Sequence, residues 1–173
     1  MIKKINDDLN AYISEHLKYQ MLSLKLSNNA NRLGFPGFAH FFQVEAADAV
    51  VHIRKICNYL MDQDADVEIK DVKVDNFTIK TIQETISKLK TTKEELLALT
   101  NKLVKSASDN NDNLTAKFYD WFLVDFYEEI AYEKDLLDWM KMSNNNFYKI
   151  DKRLAKTPEP DTLKVIVPFY EPE

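Results

Sequence analysis

The chain has 173 residues, 45% of them hydrophobic, which is enough for one domain with a sizeable core. Its net charge of −5 removes the excess of Lys and Arg from which a general nucleic-acid binder draws affinity. The absence of any run of about 18 apolar residues excludes a membrane-spanning helix.

Only two glycines occur, Gly34 and Gly37, and no Gly or Pro lies between Phe38 and Thr157. A β-rich domain of that length would need turn residues that are missing, so the class is all-α. The first eight residues, Met1 to Asp8, hold acids and no apolar stretch of signal-peptide length. With a lone Cys57 unable to form an internal disulfide, this predicts a protein of the reducing cytoplasm.

Apolar residues recur at helical spacing in four segments. The first carries Ile2, Ile5, Leu9, Tyr12 and His16, flanked by Ile13, Leu17 and Leu24, and stops near Arg32, where Gly34 supplies the break. The second opens at Pro36-Gly37 and runs through Phe38, Phe41, Phe42, Ile53, Ile56 and Leu60. The third reads Ile79, Ile82, Ile86, Leu89, Lys93, Leu96, Thr100, Leu103. The fourth runs from about Asn113 through Phe118, Trp121, Phe122, Phe126, Ile130, Leu137 and Met140.

Connection lengths predict the topology. The links after Arg32 and after Ser106 are short, so each joins antiparallel neighbours. The link from Asp62 to Thr78 alternates Val67, Ile69, Val72 and Val74 in an extended pattern. At about 3.3 Å per residue it reaches roughly 50 Å, more than the roughly 37 Å of a 25-residue helix. Helices two and three therefore point the same way, giving a four-helix bundle with one long crossover. Phe147, Ile150 and Leu154 predict a short fifth helix, so residues 1–156 form the bundle and 157–173 a Pro-containing acidic tail. The apolar cluster Leu163, Val165, Ile166 and Val167 predicts that the tail packs on a neighbouring subunit.

Charge is concentrated on the fourth helix. Between Asp112 and Met142, eight acids stand against three lysines, an excess equal to the net charge of the whole chain. Most such acids solvate an exposed face. His16 and Tyr12 share the inward stripe of the first helix one turn apart, as expected of a hydrogen-bonded core pair. His40 reads as a surface residue and Cys57 as small core.

Several strings, in order, agree with one family: Ile2 to Asn6 leading to Tyr19-Gln20, Phe35-Pro36-Gly37-Phe38-Ala39, His52 before Asn58-Tyr59-Leu60, Trp121 with Glu128-Glu129, and Phe147 to Lys152. Over roughly residues 2 to 156 the chain resembles the ferritins, and the bacterial non-haem type in particular. The resemblance implies a ferritin-like four-helix bundle and a hollow homo-oligomeric shell of twenty-four subunits that stores ferric mineral. Met21 has Ser and Leu neighbours that give no support for a haem ligand, so no haem is expected.

A ferritin oxidation site uses hard oxygen ligands and one imidazole from all four helices. Matched by position, this chain has Tyr12 for the first-helix carboxylate, and Ala49 where the second helix carries one, keeping His52. It has Lys93 on the third helix and Phe126 on the fourth, where Glu129 stays. Two arrangements of Lys93 fit the sequence. Either it points inward and pairs with Glu129 or His52, or its stem turns to the surface, with Glu94 as the true equivalent. Asp48, Asp125 and Glu128 match the family's accessory iron site near the inner surface, where three carboxylates and water can hold a hard cation weakly; the same acids can also simply be solvated.

The functional expectation is an iron-storing shell subunit with weak or no ferroxidase activity and weakly bound iron. Two alternatives stand beside it. One is an active ferroxidase with rearranged ligands drawn from His52, Glu129, Glu128, Asp125 and Asp48. The other is a metal-independent protective or scaffolding shell, for which the Lys3-Lys4 pair is too little to grip DNA.

Overall fold

A computed structural model describes residues 1–169, except for the side chains of Thr162 and Leu163. Four long helices account for most of the chain: α1 Lys3–Arg32, α2 Pro36–Asp62, α3 Ile82–Asp109 and α4 Asn113–Met142. Two short ones follow, α5 Tyr148–Leu154 and α6 Thr162–Val165. No helix among the described residues is long and apolar enough to cross a membrane.

The helix ends explain how a chain with two glycines turns so sharply. After α1, Gly34 takes φ +88 while Phe35 N donates to Ala30 O and Gly34 N to Asn31 O, both at 3.0 Å. That pattern satisfies the last carbonyls of the helix. The same motif ends α2 at Asp64 (φ 50) and α3 at Asn111 (φ 58), because short Asx side chains tolerate the left-handed region. At the starts, Pro36 opens α2, Thr81 Oγ1 accepts from Glu84 N on α3, and Asp112 Oδ1 accepts from Thr115 N on α4. The third helix therefore begins at Ile82 rather than Ile79, since the Thr81 cap fixes the boundary.

Cross-helix contacts give the directions. Ser27 Oγ bonds Ala39 O across the tight turn, so α1 and α2 are antiparallel. Tyr12 meets Thr100, and Ser106 meets Asp8, so α1 and α3 are antiparallel as well. Helices α2 and α3 are then parallel, as the long crossover requires. The crossover is tied to α1 near its start, where Asn10 Nδ2 donates to Asp66 O at 2.9 Å and Glu68 N donates to Asn10 Oδ1 at 2.7 Å. Near its end Phe77 lies under the Lys25 ammonium at 4.3 Å.

The core is contiguous and aromatic in the middle, with Phe42, Phe118, Phe122 and Phe126 fully buried beside Leu9, Ile13, Ile56 and Ile86. Burying such side chains contributes about 1.5–3 kcal/mol each. Leu24, read as part of the first helix's apolar face, is 50% exposed, beyond the stripe that the other helices cover.

Helix α5 docks against the start of α2. Asp151 Oδ1 accepts from Gly37 N at 2.8 Å and Phe38 N at 3.0 Å, supplying the partners that the first turn of α2 lacks. The approach is so close that the Asp151 carbonyl leaves no space for a Cβ on residue 37. His40 is not a free surface residue: its Nε2 lies 2.8 Å from Thr157 O.

The described part of the tail lies on the chain's own α2. There Lys55 Nζ donates to Val165 O (3.0 Å) and Val167 O (2.7 Å), and Asn58 Nδ2 to Ile166 O (2.9 Å). Pro168 is buried, and Phe169 meets Tyr59 edge-on with ring centroids 5.8 Å apart. Leu163, read from sequence as part of the tail's apolar cluster, has its side chain outside the described residues, as has everything from 170 onward.

Candidate metal centre

Two charged groups lie side by side in the middle of the bundle, and helical phase builds both. On α2, Glu45, Asp48 and His52 follow one another at spacings of three and four, and so share one face. On α4, Asp125, Glu129 and Glu133 do the same at i, i+4, i+8. Helix α3 contributes Lys93 and α1 contributes Tyr19 and His16.

Lys93 points inward and is 1% exposed. Its Nζ lies 2.6 Å from Glu45 Oε2, 2.7 Å from Glu133 Oε1 and 3.2 Å from Glu129 Oε2. Tyr19 donates its hydroxyl hydrogen to Glu45. Burial alone would lower the Lys93 pKa, but the charges of Glu129 and Glu45 outweigh it and hold the ammonium well above the ordinary lysine value. One cation faces three carboxylates, so the acids are the strained partners. Burial pushes the Glu129 carboxyl well up despite Lys93, and pushes Glu133 up to about 7.

The second group is Asp48, His52 and Asp125. His52 Nε2 lies 3.1 Å from Asp48 Oδ2 and 3.0 Å from Asp125 Oδ2. One ligand atom from each residue falls within 4.8 Å of the others. All three atoms are buried, yet none makes a hydrogen bond of acceptable angle, because a single N–H cannot aim at two carboxylates at once. Burial would depress the His52 pKa, and the two carboxylates reverse that and raise it well above the usual imidazole value. Two hard oxygens and one imidazole nitrogen, orphaned and convergent, fit a divalent cation of the iron type.

The imidazole of His52 sits among aromatic rings, edge-on to Trp121 (5.3 Å), Phe122 (5.6 Å) and Phe126 (5.7 Å). Its other nitrogen, Nδ1, lies 3.3 Å from Nδ1 of His16. Burial first, and the His52 charge second, push the His16 pKa well below the ordinary value, so His16 is neutral. His16 also meets Tyr12 edge-on at 4.5 Å, but Tyr12 gives its hydrogen bond to Thr100 at 2.6 Å, so the two do not form a hydrogen-bonded pair.

Of the residues singled out from sequence, Asp48, His52 and Asp125 come together. Glu129 does not join them, because it turns to Lys93. Glu128 is exposed and outside the group, about 100° around the helix from its neighbour. His52 is not a partner of Lys93. On α1, the residue facing the second-helix imidazole is His16 rather than Tyr12, one turn away. Ala49 and Phe126 are fully buried and apolar, so neither position offers a ligand. Glu45 and Glu133 were not among the residues singled out from sequence, although Glu45 lies two turns before His52 on one face and Glu133 one turn after Glu129.

A four-helix bundle with one long crossover, and with acids and an imidazole from its helices meeting mid-core, defines the class of crossover bundles that build carboxylate sites inside the core. The chain belongs to the ferritin family: the family model for the ferritin-like domain matches residues 4–143. Among curated relatives, the bacterial non-heme ferritin of Escherichia coli O6:H1 is 25% identical over 158 residues, covering 90% of this chain and 93% of that one. The bacterial non-heme ferritin of Staphylococcus aureus MRSA252 is 25% identical over 159 residues, with the same coverage of 90% and 93%. In fold, an engineered closed form of the Archaeoglobus fulgidus ferritin superposes with a TM-score of 0.89 at 17% identity, covering 92% of this chain and 99% of that one. A humanized archaeal ferritin gives 0.88 at 17% identity, covering 93% and 99%.

Proposed function

We propose that this chain is the subunit of an iron-storing shell in which the di-iron oxidation centre has given way to an internal ion-pair cluster. Ferrous iron is held instead at Asp48, His52 and Asp125. The observation that carries the reading is Lys93: its ammonium stands among Glu45, Glu129 and Glu133 at 2.6 to 3.2 Å, so those carboxylates are engaged. The ammonium fills the space and engages the oxygens that Fe²⁺ would need, and two irons need several carboxylate ligands, which Ala49 and Phe126 do not supply.

The role of the second group is electrostatic. Asp48 and Asp125 concentrate cation, and His52 supplies a nitrogen once its Nε2 proton has been displaced. Iron delivered there oxidises with dissolved oxygen at an unassisted rate and seeds mineral. By analogy with ferritins the shell is a closed homo-oligomer of twenty-four copies. For a 20.2 kDa chain, sedimentation then gives a particle of about 480 kDa. The unpaired Cys57 supports a cytoplasmic setting.

The test is a crystal soaked anaerobically in Fe²⁺, with anomalous scattering collected at the iron edge. The reading expects one peak bounded by Asp48, His52 and Asp125 and none at Lys93. Two bridged peaks beside Glu129 would overturn it.

A further inference from the structure

We infer that His16 is a positioning residue for cation binding: it accepts the Nδ1 hydrogen of His52, and so fixes the tautomer in which His52 Nε2 presents its lone pair to a divalent ion between Asp48 and Asp125. The inference rests on the proposed function for the Asp48, His52 and Asp125 group, and adds the side chain that makes its nitrogen available.

The geometry is specific. The two Nδ1 atoms are 3.3 Å apart, both rings are buried, and the rings are nearly perpendicular, with 84° between their planes. Between two nitrogens at that distance one proton is shared, so one ring donates and the other accepts. When a cation occupies Nε2 of His52, the remaining ring proton must be on Nδ1. Phe122, Phe126 and Trp121 around that ring offer only aromatic faces and edges, so His16 Nδ1 is what satisfies it. His16 must then carry its own proton on Nε2, an atom that is buried and makes no hydrogen bond. A buried donor left without a partner is costly, and a ring chosen only for packing could be phenylalanine. The orphaned Nε2 is the consequence of committing Nδ1 as an acceptor.

When a cation displaces the Nε2 proton, which faces Asp48 and Asp125 at 3.1 and 3.0 Å, one proton remains on Nδ1. Without His16 that N–H is buried with no acceptor, a cost that falls on the cation-bound form. Acceptors behind a ligating imidazole commonly change metal affinity by about 10- to 100-fold. The effect falls on ions that value nitrogen, such as Co²⁺ and Fe²⁺, and spares Mg²⁺, which takes oxygen only.

The experiment is calorimetric titration of the assembled, metal-free protein with Co²⁺, which is stable in air, and in parallel with Mg²⁺. The relevant site is the one that disappears in Asp125→Asn. His16→Phe keeps the ring among Tyr12, Phe122 and Phe126 but removes the acceptor; His16→Leu serves if that variant fails to fold. Either should weaken Co²⁺ binding at this site about 10- to 100-fold while leaving Mg²⁺ within about threefold. His16→Asn, whose amide oxygen falls near the place of Nδ1, should recover most of the Co²⁺ affinity. Unchanged Co²⁺ affinity in His16→Phe or His16→Leu, or an equal loss for Co²⁺ and Mg²⁺, overturns the role of His16 while the site itself stands. If the wild type has no Co²⁺ site sensitive to Asp125→Asn, the underlying reading fails and the inference with it.

Discussion

Lys93 and Glu133 face each other 2.7 Å apart at the centre of the bundle, each 1% exposed. Glu45 and Glu129 share the same ammonium, so the lysine is well matched and the acids are not. An ion pair this deep is poor evidence for stability by itself, because desolvation offsets most of the attraction. Its bearing is on function: under the proposed reading, the ammonium occupies space that a bound ion would otherwise use.

Glu133 gives the first prediction. Burial, opposed by Lys93 and aided by Glu45, raises its folded pKa from 4.5 to about 7. A carboxyl raised on folding contributes stability that is full below pH 4.5 and is lost as pH climbs through about 7. Glu133→Gln mimics the protonated state, so at pH 9 it should stabilise the metal-free protein by about 1–3 kcal/mol, with the gain gone at pH 4. Thermal melts at both pH values check this, and a Glu133→Gln protein that melts lower at pH 9 contradicts it.

Lys93→Met tests the cation from the other side. It leaves three buried carboxylates without their counter-charge, and breaking a buried pair this way costs about 3–5 kcal/mol at neutral pH. Lowering the pH to 5 should recover part of the loss, because the acids then protonate. Equal loss at both pH values would show that packing of the lysine stem, rather than charge, sets the effect.

Asp151→Ala removes the acceptor that Gly37 N and Phe38 N share at 2.8 and 3.0 Å. Loss of a charged cap of this kind should destabilise by about 1–2 kcal/mol and free α5 from α2. Denaturant unfolding measures it, and an unchanged midpoint would mean that α5 docks by its apolar side alone.

Lys55→Met removes the ammonium that holds the carbonyls of Val165 and Val167. Amide exchange in residues 165–169 should quicken by at least about tenfold, with exchange in the middle of α2 unchanged. If exchange there is insensitive to the variant, the segment is held by Pro168 and Phe169 instead.

Much of this was legible in the sequence, and the failures share a cause. Stripes of Ile, Leu and Phe gave the four helices, and the reach of residues 62–78 gave the crossover. The break of an apolar stripe at Lys93 marked the position but left open whether the ammonium points inward or to the surface; the structure turns it inward. Phase on one helix, however, says which residues share a face, and not how far the next helix is shifted along its axis. Tyr12 and His16 share a stripe one turn apart, about 5.4 Å, and that offset decided that His16 meets His52. Glu133 counted among the acids expected to solvate an exposed face and Glu45 carried no signal of its own, yet Lys93 stands between them in the structure. Glu128 and Glu129, adjacent in sequence, point about 100° apart, and only the second turns inward. Helix α6 is one turn long, too short for a period to show.

The most direct test of the central claim is stopped-flow absorbance of the assembled, iron-free protein mixed in air with two Fe²⁺ per subunit. With Lys93 occupying the middle of the bundle, oxidation should proceed as a single slow phase that does not saturate at that ratio, and Glu129→Ala should leave the rate unchanged. A rapid phase that saturates at two irons per subunit and disappears in Glu129→Ala would show a working di-iron centre and contradict the account.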